Sequence, residues 1–100
     1  QAGDSITSGQ HNVAVGYHAL NLNTEGGSMT ALGVNALHSN TTGTRNIAIG
    51  NAALYTSQTA NDNLAIGNNA LFANTSGTEN VAIGLYSLDA NTTGMLYQQI

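Results

Sequence analysis

The sequence predicts an all-β fold, a parallel β-solenoid or β-roll built from coils of 17 residues. The main observation is a column of glycines at a constant spacing of 17: Gly16, Gly33, Gly50, Gly67 and Gly84. Alanine and leucine columns keep the same spacing, and the clearest copies are NIAIGNAAL from Asn46 and NLAIGNNAL from Asn63. Because each unit is too small to fold alone, the repeat predicts stacked, equivalent coils.

One repeat contains two kinds of local signal. Short alternating segments such as Ile47-Ala48-Ile49 favour a strand. The glycine after each segment is expected to turn the chain with a positive φ. The Ala-Leu pair that follows is expected to form a second extended piece. The Asn-Thr-x-Gly segment predicts another turn, in which Asn and Gly adopt positive φ.

The residue before each glycine is predicted to be a core position, and the glycine a turn position. The core positions are Val15, Leu32, Ile49, Ile66 and Ile83. The alanine in the middle of each strand points the other way and has two interpretations. It either packs tightly within one stack of coils or, as we favour here, lies against a second chain. A coil also holds few large apolar residues, which favours burial against neighbouring chains.

The composition excludes several classes of function. The 100 residues include one basic and five acidic side chains, for a net charge of −4. This balance argues against nucleic-acid binding, which requires basic residues to neutralise phosphates. It equally disfavours a basic helix on a membrane surface, and no apolar segment is long enough to predict a membrane span. With no cysteine, the sequence predicts no disulfide or thiolate site.

Residues with catalytic or metal-binding chemistry do not form a recognisable pattern. Asp62 and Glu79 occupy equivalent positions of successive coils, with Arg45 one coil earlier, which indicates an exposed ladder of charges. His11, His18 and His38 occupy three different positions of the repeat, so no converging ligand set is predicted. We therefore predict no enzymatic activity, catalytic residue, metal ion or cofactor.

Aromatic and histidine side chains occur at variable positions of the repeat. They indicate contacts between chains or with a receptor, because aromatic residues dominate interfaces. The candidate contact residues are Tyr17, His38, Tyr55, Phe72 and Tyr86.

The repeats resemble those of a known group of fibrous proteins. The segments NIAIGNAALYT, NLAIGNNALFANTSG and NVAVGYHALNLNTEG are similar to repeats of bacteriophage and viral tail fibres, and to the heads of trimeric autotransporter adhesins of the YadA type. This resemblance implies an intertwined homotrimer, like a trimeric β-roll or triple β-helix. The repetitive domain is predicted to cover residues 1–94, and residues 95–100 a terminal cap or the start of a following region.

The resemblance also implies a function. The chain is expected to be a structural and adhesive segment of a virion tail fibre, whose tip binds a glycan or protein receptor on the host surface. The alternative is a trimeric adhesin head or extracellular filament on a bacterial surface. A polysaccharide-degrading tailspike is a third, less favoured hypothesis, because no acidic pair in a groove is apparent.

Overall fold

The computed structural model describes residues 11–88 together with the backbone of residues 98 and 99. It contains one parallel sheet with the strands in chain order: β1 (Val13–Val15), β2 (Thr30–Leu32), β3 (Ile47–Ile49), β4 (Leu64–Ile66), β5 (Val81–Ile83) and β6 (Gln98–Gln99). Each strand pairs in parallel with the next one along the chain. The predicted parallel β-solenoid is therefore confirmed.

The register between coils follows the repeat. Ala31 pairs with Ala48 and Ala48 pairs with Ala65, so each step up the stack is one repeat of 17 residues. Gln99 pairs with Ala82 in the same register, which extends the sheet to the sixth strand. The predicted boundary between residues 94 and 95 lies outside the described residues and stays a prediction.

The segments between the strands also pair from coil to coil. The backbone N–H of Leu54 donates to the carbonyl of Ala70, 3.0 Å away, and the N–H of Leu37 donates in the same way to Ala53. In the second turn, the carbonyl of Gln58 accepts the N–H groups of Thr41, Thr42 and Gly43. Backbone hydrogen bonds therefore join the coils around their whole circumference, as burial of polar groups requires.

Alanine and leucine columns fill the interior of the coils. The buried residues are Ala31, Ala48, Ala65 and Ala82 from the strands, and Ala19, Leu20, Ala36, Leu37, Ala53, Leu54, Ala70 and Leu71 from the following turns. The strand alanines therefore pack within one stack of coils. The interpretation that they lie against a second chain is wrong.

The residues that we predicted as core positions before the glycines lie on the other side of the sheet. Val15 is 57% exposed, and Leu32, Ile49, Ile66 and Ile83 are half-buried. The reason is space: leucines from the following turns fill the interior together with the strand alanines, and a larger side chain does not fit beside them as alanine does. These five residues are therefore not part of the core of the single chain, and the prediction that they are core positions is wrong.

The turns differ from the predicted ones in detail. The column from Gly16 to Gly84 has φ between 123° and 133°, where L side chains are rarely found. The Ala-Leu segment forms a turn and not a second extended piece, with Leu54 at φ 53°. The glycine of the Asn-Thr-x-Gly turn has no positive φ. Gly43 is required because a Cβ atom there would overlap the carbonyl oxygen of Ala60.

Two columns of buried asparagines link the coils. In the column before the strands, Asn46 accepts from the N–H of Asn63 through Oδ1, at 3.0 Å, and donates through Nδ2 to the carbonyl of Ala60. In the turn column, Asn40 donates through Nδ2 to Oδ1 of Asn23, at 2.8 Å. Asparagine thus supplies donors and acceptors along the stack, as in side-chain ladders of other stacked β-structures.

Candidate functional site

Two surfaces of the rod carry candidate functional residues. We call the first the outer face; it comprises the two outward positions of strands β1–β5, namely Val13, Val15, Thr30, Leu32, Ile47, Ile49, Leu64, Ile66, Val81 and Ile83. We call the second the aromatic ladder, which comprises the rings of Tyr17, His18, His38, Tyr55 and Phe72.

The outer face is apolar throughout, except for Thr30, and carries no charge. Val13, Val15 and Ile47 are exposed, and the other seven side chains are half-buried. Their inward neighbours, the strand alanines, complete the core of the single chain without them. Large apolar side chains are therefore left in water on a flat face, which is a feature of interaction surfaces.

The aromatic ladder runs along the rod. The rings of His38 and Tyr55 lie 4.9 Å apart at their centroids with 6° between their planes, and those of Tyr55 and Phe72 lie 5.2 Å apart with 8°. His38, Tyr55 and Phe72 occupy the same position in successive coils, so the coil spacing stacks them face to face. Tyr17 and His18 extend the ladder at one end, with centroids 3.9 Å apart.

The structure brings together four of the five aromatic candidates. Tyr17, His38, Tyr55 and Phe72 belong to the ladder, whereas Tyr86 is exposed at a different position of the coil, the one that His18 occupies in the first coil. Within the ladder, the faces of His38 and Tyr55 are covered by neighbouring rings. These faces are therefore not free to stack on a sugar ring, although their edges can still contact a partner.

Sequence reasoning missed His18 as a member of the ladder. Its ring contacts that of His38 with centroids 5.5 Å apart and 65° between the planes. The two residues are 20 positions apart, one repeat plus three, so a search for equivalent positions does not pair them. Burial, and secondly the charge on His18, lowers the pKa of His38 below its usual value.

The predicted charge ladder is present between Arg45 and Asp62. Nε of Arg45 donates to Oδ1 of Asp62 at 2.6 Å, and Nη2 donates to Oδ2 at 3.2 Å. The hydrogen bond and the charge of Arg45 lower the pKa of the Asp62 carboxyl below its usual value. Both side chains are exposed, so the pair adds little to the free energy of unfolding.

Arg45→Gln is expected to raise the pKa of Asp62 towards its usual value, because the charged donor is lost. The folded-state pKa of Asp62 is depressed, so its small stabilising contribution exists above the unfolded-state pKa and disappears as the pH falls through the folded-state pKa. An NMR titration of the Asp62 carboxyl carbon, with Thr56→Ala as the control variant, measures this change. An unchanged pKa would show that the ion pair does not form in solution.

Other features of the described residues offer no further site. Within residues 11–88, no group of three or more His, Cys, Asp or Glu side chains could hold a metal ion, and no cavity is found. No helix long and apolar enough to cross a membrane occurs in the same range.

Comparisons with known proteins give no relative for the chain. No family model, no curated protein and no solved structure matches it.

Proposed function

We propose that the chain is a structural segment of a fibre, and that it associates side by side with two further copies through the outer face. The observation that carries this proposal is an uncharged apolar sheet face on a rod whose own core is already complete. Each additional coil adds two outward strand side chains to this face, both of them apolar in every described coil except that of Thr30. The association therefore strengthens with the number of coils, which suits a shaft of variable length.

Side-by-side packing is the form of the trimer that agrees with the pairing of the strands. An intertwined triple β-helix alternates strands of different chains along its axis. Here strands β2, β3 and β4 each pair on both sides with strands of the same chain. We therefore propose three separate rods with their outer faces towards a common axis, where they exclude water.

The biological setting of the proposed fibre is a virion tail fibre that presents a tip to a glycan or protein receptor on the host surface. A trimeric adhesin head on a bacterial surface uses the same assembly and is the alternative. Both proposals rest on the similarity of the repeats described above. The segments next to this chain in the parent gene distinguish them: a tail-attachment region indicates the fibre, and a stalk with a membrane anchor indicates the adhesin.

Sedimentation equilibrium is expected to give three chains per particle for the native sequence, and one chain for the double variant Ile49→Glu/Ile66→Glu. Carboxylates on the outer face would be desolvated next to one another in the trimer, which opposes association. In the single chain the same side chains are half-buried on the outer surface, so the coils are expected to keep their circular dichroism spectrum.

The matched control is Gln58→Glu/Thr75→Glu, which adds two carboxylates at exposed positions of the second turn. This variant should remain trimeric. A native chain that sediments as a monomer would reject the assembly. A trimer that persists in the Ile49→Glu/Ile66→Glu variant would place the interface elsewhere.

A further inference from the structure

We propose that His18 and His38 form a two-histidine site for a divalent transition-metal ion such as Zn²⁺ or Cu²⁺. Their rings lie on adjacent coils with centroids 5.5 Å apart. Bonds of about 2.0–2.1 Å from one metal ion to one nitrogen of each ring, at a tetrahedral angle, place the centroids about 5 Å apart. The observed separation is close to this value, and binding requires a nitrogen of each ring to turn towards the same ion through a change in χ2, which is a soft torsion in histidine.

A tyrosine ring of the aromatic ladder packs against each of the two imidazoles. Tyr17 stacks on His18 with centroids 3.9 Å apart, and Tyr55 stacks on His38 at 4.9 Å. Because neighbouring rings restrict each imidazole, less rotational freedom is lost when a metal ion binds. Preorganised ligands of this kind bind more tightly than mobile ones.

A neighbouring hydroxyl orients His38 for this role. Nδ1 of His38 lies 3.4 Å from Oγ of Ser39. In the tautomer whose Nδ1–H donates a hydrogen bond to that hydroxyl, Nε2 carries no proton and its lone pair can bind the metal ion.

Imidazole ligands determine the class of ion. Two neutral nitrogens favour Zn²⁺, Cu²⁺ and Ni²⁺ over the oxygen-binding ions Mg²⁺ and Ca²⁺. Two protein ligands leave positions on the metal for water. The site belongs to one chain and does not depend on the proposed trimer.

Titration calorimetry with Zn²⁺ is expected to show one saturable site per chain, and His18→Asn and His38→Tyr are each expected to weaken it at least about tenfold. These substitutions are compatible with the coil. Asn35 and Asn69 occupy the position of His18 in other coils with φ of 64° and 61°, and Tyr55 occupies the position of His38. His11→Asn is the matched control, since His11 is exposed and lies outside the ladder.

A spectroscopic measurement on the native chain covers the case in which a variant fails to fold. Zn²⁺ should shift the imidazole NMR signals of His18 and His38 and leave those of His11 unchanged. The sequence has four tyrosines and no tryptophan, so Cu²⁺ quenching of the tyrosine emission, which includes that of Tyr17 and Tyr55 next to the two histidines, is a second measure of binding. The proposal is overturned if no saturable binding occurs, if His18→Asn and His38→Tyr bind as tightly as the native chain, or if His11→Asn weakens binding equally.

Discussion

Gly50→Ala is expected to lower the free energy of unfolding by more than about 3 kcal/mol, a large part of the stability of a small domain. Gly50 has φ 130°, a conformation essentially restricted to glycine. A Cβ atom there would also lie 2.6 Å from the carbonyl carbon and oxygen of Gly67 in the next coil. Both atoms belong to the backbone, so relief requires the two coils to separate and lose their hydrogen bonds.

Urea denaturation followed by circular dichroism measures this effect at a fixed protein concentration. The control is Thr42→Ala, a change at an exposed position that is expected to stay within about 0.5 kcal/mol of the native chain. If Gly50→Ala unfolds at the same urea concentration as the native chain, the coils are not stacked at the spacing that the structure describes.

The repeat was sufficient to predict the parallel stacking. Glycine, alanine and leucine columns at a spacing of 17 imply that equivalent residues lie above one another, and the pairing of Ala48 with Ala65 confirms this. The strand segments were also recognisable, because Ile47-Ala48-Ile49 alternates and is β-branched at both ends. The alternation within each strand and the 17-residue register between coils therefore predict the same parallel stack.

Alternation alone could not show which face of the strand points inwards. It separates Ile47 and Ile49 from Ala48, and hydrophobicity suggested that the larger side chains were inside. The structure places Ala48 inside because Leu54 already occupies the interior of a narrow coil. Which face of the strand points inwards depends on side-chain volume and on the circumference of the coil. The circumference in turn depends on turn geometry that the sequence did not predict.

In the aromatic ladder too, the repeat predicts which residues share a column but not the contacts that depend on turn geometry. The positions of His38, Tyr55 and Phe72 in one column were predictable from the repeat, and so was their stacking. The contact between His18 and His38 was not predictable, because it depends on how the turn after Gly16 carries His18 at φ 61° towards the next coil.

Met29 replaces one member of the column of buried asparagines that precedes the strands. Its sulfur accepts a hydrogen bond from the backbone N–H of Asn46 at 3.4 Å.

The second large effect on the free energy of unfolding is expected at Ser57 and Ala60. These two residues replace the Asn and Gly that occupy the equivalent positions of the two preceding coils. Ser57 is fully buried and Ala60 is 2% exposed. The side-chain oxygens Oδ1 of Asn40 and Oγ of Ser57 are both buried without a hydrogen-bond partner. The serine is too short to continue the ladder in which Asn40 donates to Asn23, and an unpaired buried polar atom costs about 1–3 kcal/mol.

Ser57→Asn alone is nevertheless expected to destabilise the chain. In the preceding coil, a Cβ atom on Gly43 would lie 2.5 Å from Oδ1 of Asn40, three residues earlier. The same overlap would arise between an asparagine at position 57 and the methyl group of Ala60. Ala60→Gly alone is also expected to destabilise, by about 1 kcal/mol, because it removes a buried methyl group and adds backbone freedom.

The double variant Ser57→Asn/Ala60→Gly is expected to be more stable than the native chain by about 1–2 kcal/mol. Its asparagine can donate to Oδ1 of Asn40 without meeting a methyl group. A double-mutant cycle in urea should therefore give a favourable coupling energy of more than about 2–3 kcal/mol between the two positions, because both single substitutions destabilise the chain. Thr59→Asn, at an exposed position of the same turn, is the control and is expected to have little effect.

Additive effects of the two substitutions would mean that Ser57 and Ala60 do not share one steric constraint. Coupling would show that the third turn is a compensated form of the other turns, in which a shorter side chain makes room for a Cβ atom. The loss of one hydrogen bond in the column of buried asparagines is then the consequence of replacing glycine by alanine. Such paired replacement explains how one turn of a strict repeat can change its residues while the coils above and below keep their register.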